Sequence, residues 1–95
     1  LALYPNYALL RKYHEREKTG FAVEGLISVL EDLNKQIADR HYSLGTSYFL
    51  RKDLDAQIAD IWQMEIEPYL EEYFFDQVEK YQRFCWVNIS NKVLG

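Results

Sequence analysis

The chain has 95 residues, of which 48% are hydrophobic and 16% aromatic, and its formal net charge is −4 with an isoelectric point near 5.1. This length and composition fit one compact domain with one core. The acidic balance argues against a stand-alone nucleic-acid binder, because neutralising phosphates requires a surplus of Lys and Arg that 11 basic against 15 acidic residues do not supply.

Cysteine content and hydropathy set the expected compartment. Cys85 is the single cysteine, so no internal disulfide can form and a secreted, disulfide-stapled scaffold is disfavoured. No apolar run reaches the roughly 18 to 20 residues that a membrane-spanning helix needs. We therefore expect a cytoplasmic protein with no membrane partner. The chain opens at Leu1, inside the apolar phrase LALYP rather than at a Met, and this favours a piece of a longer protein.

The first forty residues predict two amphipathic helices. The first begins at Pro5 or Asn6, runs through YALLRKYHEREK and has Gly20 as its stop. Its apolar stripe consists of Leu9, Leu10 and Tyr13. The second helix spans residues 22–39, and its apolar residues recur at helical spacing: Val23, Leu26, Ile27, Leu30, Leu33 and Ile37. Gly25 within it costs about 1 kcal/mol relative to Ala and would permit a close helix crossing.

A longer apolar period follows Asp53, which is the expected N-cap of a third helix of roughly twenty residues. Pro68 interrupts this period, because proline lacks a backbone donor and clashes with the carbonyl four residues back, here that of Met64. We therefore expect a kink, or a break with a new helix beginning near Glu67. A short helix near residues 76–83 comes next, and the following FCWVNI suits either an extended segment or a packed tail.

The connector RHYSLGTSYFL, residues 40–50, is aromatic where a loop is usually polar. Its composition fits a partly extended backbone near residues 44–50, with alternate side chains on one side and a short pairing with FCWVNI. Those alternate side chains are Leu44, Thr46, Tyr48 and Leu50. The expected fold is therefore mainly all-α, a small bundle of about four helices in a single domain over residues 1–95, with this segment as its extended exception.

No catalytic or metal-binding motif is present in the sequence. GxxxxGK[ST], GxGxxG, HExxH, GxSxG and CxxC are all absent. The soft metal ligands are His14, His41 and Cys85, which lie far apart without zinc-type spacing. We therefore expect no catalytic residue, no metal and no cofactor held by this chain alone.

Carboxylates gather around Pro68 in the run MEIEPYLEEYFFD. Paired carboxylates can perform acid–base chemistry or bind a cation. We favour a simpler interpretation, in which Glu67, Glu71 and Glu72 complement the positive end of a helix macrodipole and face water.

Two polar residues lie instead beside the apolar stripes. Glu65 is three to four residues from Ile61, Trp62 and Tyr69, and Asn34 adjoins the apolar residues of the second helix. A partly buried polar group needs a partner, so a structural hydrogen bond to a backbone group or a Tyr hydroxyl is expected for each. The functional alternative is that they position Arg40 or Arg51 beside a ligand.

The C-terminal half is rich in aromatic residues, which could stack on the bases of single-stranded nucleic acid. They are Tyr69, Tyr73, Phe74, Phe75, Tyr81, Phe84 and Trp86. Because basic residues are not interleaved among them, we expect these side chains to form core.

Two stretches, LEDLNKQIADRHYSLGTSYFL and IWQMEIEPYLEEYFFD, resemble the C-terminal part of AAA+ proteins of the McrB type, the motor subunit of the 5-methylcytosine-specific restriction enzymes. That family has a helix ending in Leu-Asn with a following Ile, a Gly-His-Ser-Tyr-Phe box, a helix with Trp, and then Glu-Ile-x-Pro-Leu-Leu-Glu-Glu-Tyr-Phe. The opening LYPNYALL is similar to the segment after the family's last core strand. The matching residues are Leu33, Asn34, Ile37, Gly45, Ser47, Tyr48, Phe49, Trp62, Glu65, Ile66, Pro68, Leu70, Glu71, Glu72, Tyr73 and Phe74.

The match covers about residues 26 to 76, with two departures. Thr46 stands where the family usually has His, and Tyr69 where it often has Leu. The first bears on any role that needs an imidazole in the box, whereas the second is a change between two core residues.

The resemblance implies a helical lid, the small subdomain that follows the nucleotide-binding α/β core of AAA+ motors and closes over the nucleotide. The chain would then be the C-terminal fragment of a nucleoside triphosphatase that uses GTP or ATP with Mg²⁺, while the fragment itself performs no catalysis and binds no nucleic acid directly. The implied partners are the upstream core of the same chain, neighbouring subunits of a ring and a nuclease subunit.

Within the lid, the resemblance and the residue chemistry suggest three groups of residues. The nucleotide-proximal group is Arg40, Gly45, Thr46, Ser47, Tyr48 and Arg51, in which a guanidinium could bridge phosphate oxygens. The hinge group is Tyr4 and Pro5. The structural group is Asn34, Trp62, Glu65, Pro68, Glu71, Glu72 and Tyr73.

Two other functions are compatible with the sequence. A free-standing interaction module would bind a partner helix through the aromatic face between Trp62 and Phe75 and would expose an apolar patch. A small DNA-binding domain would bind DNA in a salt-dependent way, which the acidic composition disfavours.

Overall fold

The computed structural model describes residues 7–37 and 45–94, and within these ranges the fold is all-α, as predicted, with no strand. Its helices are α1 (Tyr7–Arg16), α2 (Val23–Ile37), α3 (Leu54–Ile61), α4 (Glu67–Tyr73), α5 (Val78–Arg83) and α6 (Trp86–Leu94). A 3₁₀ turn at Ser47–Phe49 precedes α3, and a π turn at Trp62–Ile66 joins α3 to α4. None of the described helices is long and apolar enough to cross a membrane.

The first predicted helix is confirmed, but it ends before its expected stop. Its predicted start at Pro5 or Asn6 lies outside the described residues. Lys18 has left-handed backbone with φ of 52°, and Gly20 has φ of 76°. A left-handed residue ends an α-helix, so α1 stops at Arg16 and Gly20 belongs to the following turn.

The predicted apolar stripe of α1 is only partly correct. Leu10 is buried, but the Leu9 side chain is 46% exposed and Tyr13 is half-buried. The second buried residue of α1 is His14, one helical turn after Leu10. The helix therefore faces the core through one leucine and one imidazole.

Helix α2 is the centre of the domain, with α1 and α6 packed against it. All six of its predicted core positions are buried, and Val29 is buried as well. The close crossing predicted at Gly25 is with α6. A Cβ atom added there would overlap the backbone carbonyl oxygen of Lys92 and lie 3.4 Å from the Cα of Val93. Only glycine allows the two backbones to approach this closely.

The chain passes Pro68 without a break. The backbone N–H of Glu67 donates to the carbonyl of Trp62, five residues back, as in a π turn. An α-helix begins at Glu67, as predicted, but it follows the π turn directly, so the backbone stays helical where a break was one of the two expectations. Pro68 lies in the first turn of α4, where proline is tolerated.

The C-terminal segment FCWVNI is helical rather than extended from Trp86 onward. Ile89 and Val93 are one turn apart on α6, and both are buried against the core. The packed-tail alternative is therefore the correct one, because a helix can bury both side chains against α2.

One core runs through the described residues. It comprises Leu10, Val23, Leu26, Ile27, Val29, Leu30, Leu33, Ile37, Phe49, Leu54, Ile58, Ile61, Trp62, Ile66, Leu70, Phe74, Phe84, Ile89 and Val93. Among the seven predicted core aromatics, Phe74 and Phe84 are buried, whereas Phe75 is 79% exposed and that prediction is wrong. The other four, Tyr69, Tyr73, Tyr81 and Trp86, pack against the core while partly exposed.

Candidate functional site: the turn at residues 45–51

The resemblance box forms a tight turn instead of the predicted extended segment. The Phe49 N–H donates to the Thr46 carbonyl at 3.0 Å, and the Leu50 N–H donates to the Ser47 carbonyl at 3.4 Å. These bonds wind Ser47–Phe49 into one 3₁₀ turn. The backbone therefore satisfies its hydrogen bonds locally and pairs with no strand in the part of the chain described.

The side chains of this turn divide between core and solvent. Thr46 and Phe49 are buried, whereas Ser47 and Tyr48 are exposed. The predicted common side for alternate residues is therefore wrong for Thr46 and Tyr48, while Leu44 lies outside the described residues. A 3₁₀ turn has three residues per turn, so Thr46 and Phe49 share one face.

Phe49 anchors the turn in the core. Its fully buried ring stacks on Trp62, with centroids 6.2 Å apart and planes at 29°. The Trp62 indole N–H in turn donates to the Phe84 carbonyl at 2.7 Å. Trp62, the tryptophan of the resemblance pattern, therefore connects the box to the turn between α5 and α6.

His14 contacts the same anchor from α1. Its Nε2 lies 2.9 Å from the Phe49 carbonyl oxygen and its Nδ1 lies 2.7 Å from Thr19 Oγ1. The ring also packs near Phe21, with centroids 5.7 Å apart. Sequence reasoning considered His14 only as a metal ligand; its position one turn after Leu10 was the signal for a core-facing role.

The candidate cations lie at the exposed edge of the turn. Arg51 is exposed, and the neighbouring Lys52 has its Nζ 3.5 Å from a Glu17 carboxylate oxygen. Arg16 pairs with the same carboxylate at 3.2 Å, so the end of α1 and the start of α3 share one acidic group. The other candidate cation, Arg40, and the hinge residues Tyr4 and Pro5 lie outside the described residues.

Asn34 has the structural role expected of it, whereas Glu65 does not. The Asn34 amide donates to the Tyr7 hydroxyl at 2.9 Å, which joins α2 to α1. Burial raises the pKa of Tyr7 above its ordinary value of 10.0. Glu65 is exposed, so its predicted burial is wrong. The π turn shifts the register by one residue, which leaves Ile66 in the core and turns Glu65 to solvent.

Tyr73, a residue of the resemblance, and Glu67, which lies beside the matched Pro68, both connect helix ends. The Tyr73 hydroxyl donates to the Ile37 carbonyl at 2.8 Å and satisfies one of the last carbonyls of α2. Glu67 was expected to face water, but it is half-buried and accepts the Trp86 N–H at 2.8 Å. It caps α6 in this way, while Glu71 and Glu72 are exposed as predicted.

The described residues hold no arrangement suited to metal or covalent chemistry. They contain no group of three His, Cys, Asp or Glu side chains placed to bind a metal ion. Burial raises the pKa of the Cys85 thiol, whose Sγ donates to the Tyr81 carbonyl at 3.5 Å. A thiol with a raised pKa is a poor nucleophile at neutral pH.

The described residues form an all-α unit in which Phe49 anchors the turn at residues 45–51 to the core. A family model described as McrB, alpha-helical lid domain matches residues 25–82, which is more than half of the chain. The chain belongs to this family. No curated protein and no solved structure gives a significant match. The matched range runs from α2 into α5, so α1 and α6 lie outside it.

Proposed function

We propose that this chain is the C-terminal lid of a AAA+ nucleoside triphosphatase of the restriction type, where it helps to close the nucleotide site and contributes contacts between ring subunits. The observation that carries the proposal is the turn at residues 45–51, which exposes Ser47, Tyr48 and Arg51 while Phe49 fixes it to the core. A lid contributes shape and contacts rather than catalytic groups.

The exposed residues suit an anionic ligand held by another domain. Ser47 and Tyr48 carry hydroxyl donors, and Arg51 carries a guanidinium that can bridge two phosphate oxygens. In this proposal the upstream core of the same protein binds GTP or ATP with Mg²⁺, and the turn approaches it on closure. Thr46 is buried, so its part in the proposal is to shape the turn.

An acidic segment supports the proposed contacts with neighbouring subunits and a nuclease partner of a DNA-directed motor. Residues 53–79 contain nine carboxylates and no Lys or Arg, and most of those carboxylates are exposed. Such a concentration of negative charge attracts a basic protein face and repels DNA phosphates. We propose that the protein contacts of the lid involve this segment.

The proposal is tested in the longer protein that carries the upstream core. Arg51→Ala removes a charge-assisted hydrogen bond, typically about 1.5–3 kcal/mol, so we expect nucleotide affinity or turnover to fall tenfold or more. Tyr48→Ala should reduce the same quantity by a smaller factor. Lys35→Ala, which removes an exposed cation on α2, is the matched control and should change neither.

Two results would contradict the proposal. One is unchanged nucleotide binding and hydrolysis in both Arg51→Ala and Tyr48→Ala. The other is a parent gene without a GxxxxGK[ST] phosphate loop upstream of this lid. The 95-residue chain alone should bind neither GTP nor ATP strongly, and micromolar affinity would show that it contains a nucleotide site itself.

One observation favours a second candidate, an interaction module that binds a partner helix. Phe75 is 79% exposed and Val78 is 56% exposed, and both lie at the corner between α4 and α5. Adjacent exposed apolar side chains often mark a protein contact. Under this candidate, Phe75→Ser would abolish capture of a partner while nucleotide turnover in the parent stayed unchanged.

A further inference from the structure

Phe49 is fixed at three points, and these points come from different parts of the chain. Its N–H is bound within the turn to Thr46, and its ring lies on Trp62 of the π turn. Its carbonyl is bound by His14 of α1. Of the three, only the His14 contact comes from outside the range that matches the lid family.

The directions of the hydrogen bonds around His14 form one consistent chain. A carbonyl oxygen only accepts, so His14 Nε2 carries the proton that it donates to Phe49. The Phe21 N–H donates to Thr19 Oγ1 at 3.2 Å, and the same oxygen lies 2.7 Å from His14 Nδ1. We assign the tautomer that carries its proton on Nε2, in which Nδ1 accepts from the Thr19 hydroxyl and the turn between α1 and α2 orients the ring.

This series of hydrogen bonds connects α1 to the turn at residues 45–51. The imidazole is buried and is held on one side by Thr19, so it has little freedom to follow the Phe49 carbonyl if the turn moves. The exposed Ser47 and Tyr48 immediately precede Phe49. Their orientation therefore depends on the carbonyl that His14 holds.

We propose that His14 is a positioning residue, which fixes the turn at residues 45–51 in the orientation that presents Ser47 and Tyr48. This inference deepens the proposed function and rests on it for the ligand. The positioning itself is a property of the 95-residue chain and can be measured without any nucleotide.

The first test is amide hydrogen exchange on the 95-residue chain. His14→Phe keeps an aromatic ring beside Phe21 but removes both hydrogen bonds. We expect the amides of Phe49 and Leu50 to exchange at least about tenfold faster, beyond any change in α3. The nitrogen NMR shifts of wild-type His14 should show a protonated Nε2 and an unprotonated Nδ1.

Tyr73→Phe is the matched control. It also removes one hydrogen bond to a backbone carbonyl, that of Ile37, and it keeps its aromatic ring. It should accelerate exchange at the C-terminal end of α2 and leave Phe49 and Leu50 unchanged relative to the rest of the chain. Equal, uniform acceleration in the two variants would mean that His14 only stabilises the fold, and the proposal would be overturned.

A conservative variant separates positioning from folding. The amide of His14→Gln reaches about as far as Nε2 and can donate to Phe49, but it does not reproduce the bond with Thr19. We expect it to restore most of the slow exchange of Phe49 even if His14→Phe folds poorly. Fast exchange of Phe49 in a folded His14→Gln chain would contradict the role assigned to the Nε2 donor.

The parent enzyme distinguishes this inference from the proposed function. There, His14→Phe should alter the same kinetic parameter, KM or kcat, as Tyr48→Ala. If the exchange result is obtained while Tyr48→Ala and Arg51→Ala leave turnover unchanged, the proposed nucleotide role fails and the positioning stands. If Tyr48→Ala reduces turnover while His14→Phe leaves it unchanged, the positioning role fails.

Discussion

The helices α1 and α6 both pack on α2 from outside the family-matched range, but they are held by different chemistry. Helix α6 crosses α2 at Gly25 with the backbones in close approach, and it buries Ile89 and Val93. Helix α1 buries Leu10 and His14, packs Tyr7 against the core, and is also joined to the rest of the domain by polar contacts. These are His14 with Phe49, Asn34 with Tyr7, and Arg11 with Glu24.

Because of this difference, we expect α6 to be held firmly on α2 and α1 to be displaced more easily. Close apolar packing loses energy steeply with small displacements, because its contacts depend on short distances and fitted shapes. The exposed pair of Arg11 and Glu24 and the half-buried bond between Asn34 and Tyr7 can exchange with water at little net cost. The buried bond from His14 to Phe49 is the contact of α1 that cannot. We therefore expect α6 to remain attached under conditions that loosen α1, and α1 is the helix that leads to the box through His14.

The largest effect is expected where α6 crosses α2. Gly25→Ala would place a Cβ against the Lys92 carbonyl, which is backbone and cannot rotate away. Overpacking of this kind costs about 1–3 kcal/mol or more, and we expect urea denaturation to show a loss of at least about 2 kcal/mol. Gly45→Ala is the control, since no described atom lies within 4 Å of its added Cβ, and it should change stability by less than about 0.5 kcal/mol. Equal losses in the two variants would refute the close crossing.

A smaller effect is expected at the start of α6. Glu67→Ala removes the carboxylate that accepts the Trp86 N–H, and losing such a cap costs about 0.5–2 kcal/mol. Faster amide exchange at residues 86–89 should accompany this loss. Glu72→Ala, on the exposed side of α4, should leave both measurements unchanged. If Glu67→Ala loses no more stability than Glu72→Ala, apolar packing alone holds α6.

Removing a polar contact of α1 should reduce stability by less than the loss of the cap on α6. Tyr7→Phe keeps the ring but removes the acceptor for the Asn34 amide, and one neutral hydrogen bond contributes about 0.5–1.5 kcal/mol. The half-buried amide retains access to water, which favours the lower end of this range. Thermal unfolding of Tyr7→Phe beside Tyr13→Phe, whose ring is also half-buried, gives the comparison. A loss as large as that of Gly25→Ala would contradict the easier displacement of α1.

The smallest effect, and the one most dependent on pH and salt, is expected at the exposed pair of Arg11 and Glu24. The Arg11 guanidinium donates two hydrogen bonds to the Glu24 carboxylate, and these bonds lower the pKa of Glu24 from its ordinary value of 4.5. A lowered folded-state pKa adds stability above the unfolded value, and that stability is lost as the pH falls through the folded value. Glu24→Gln should therefore be slightly less stable than the wild type at pH 7, and this difference should shrink as the pH falls below 4.5. The difference at pH 7 should also shrink in 1 M salt. A difference that does not shrink with falling pH would show that the carboxylate charge is not its source.

The sequence predicts the apolar framework of this fold well, because helical spacing repeats over many residues in α2 and in the α3–α4 segment. It also predicts the consequences of single residues with a local steric effect, such as the crossing at Gly25 and the new helix at Glu67. Helical spacing and the steric effect of a single residue depend only on nearby positions in the chain, so the sequence alone predicts them.

The errors lie where a distant partner decides the outcome. Glu67 faces inward because the start of α6, nineteen residues later, needs an acceptor. His14 is a core residue because a carbonyl of the box lies beside it, and Thr46 and Tyr48 face opposite ways because the turn is 3₁₀ rather than extended. Spacing along one helix carries no information about such contacts. The resemblance therefore predicts which residues form the candidate site, whereas the fold decides which of their side chains are buried and which are exposed.

The π turn at Trp62–Ile66 makes the length of the segment between Trp62 and Pro68 as important as its side chains. An α-helix advances about 100° per residue, so deleting one residue from the turn would rotate everything after it by about that angle relative to α3. Leu70 and Phe74 would then leave the core, and Tyr73 would leave the end of α2. Among relatives, substitutions should therefore be common at the exposed positions of Gln63 and Met64, whereas single-residue insertions and deletions between Trp62 and Pro68 should be absent.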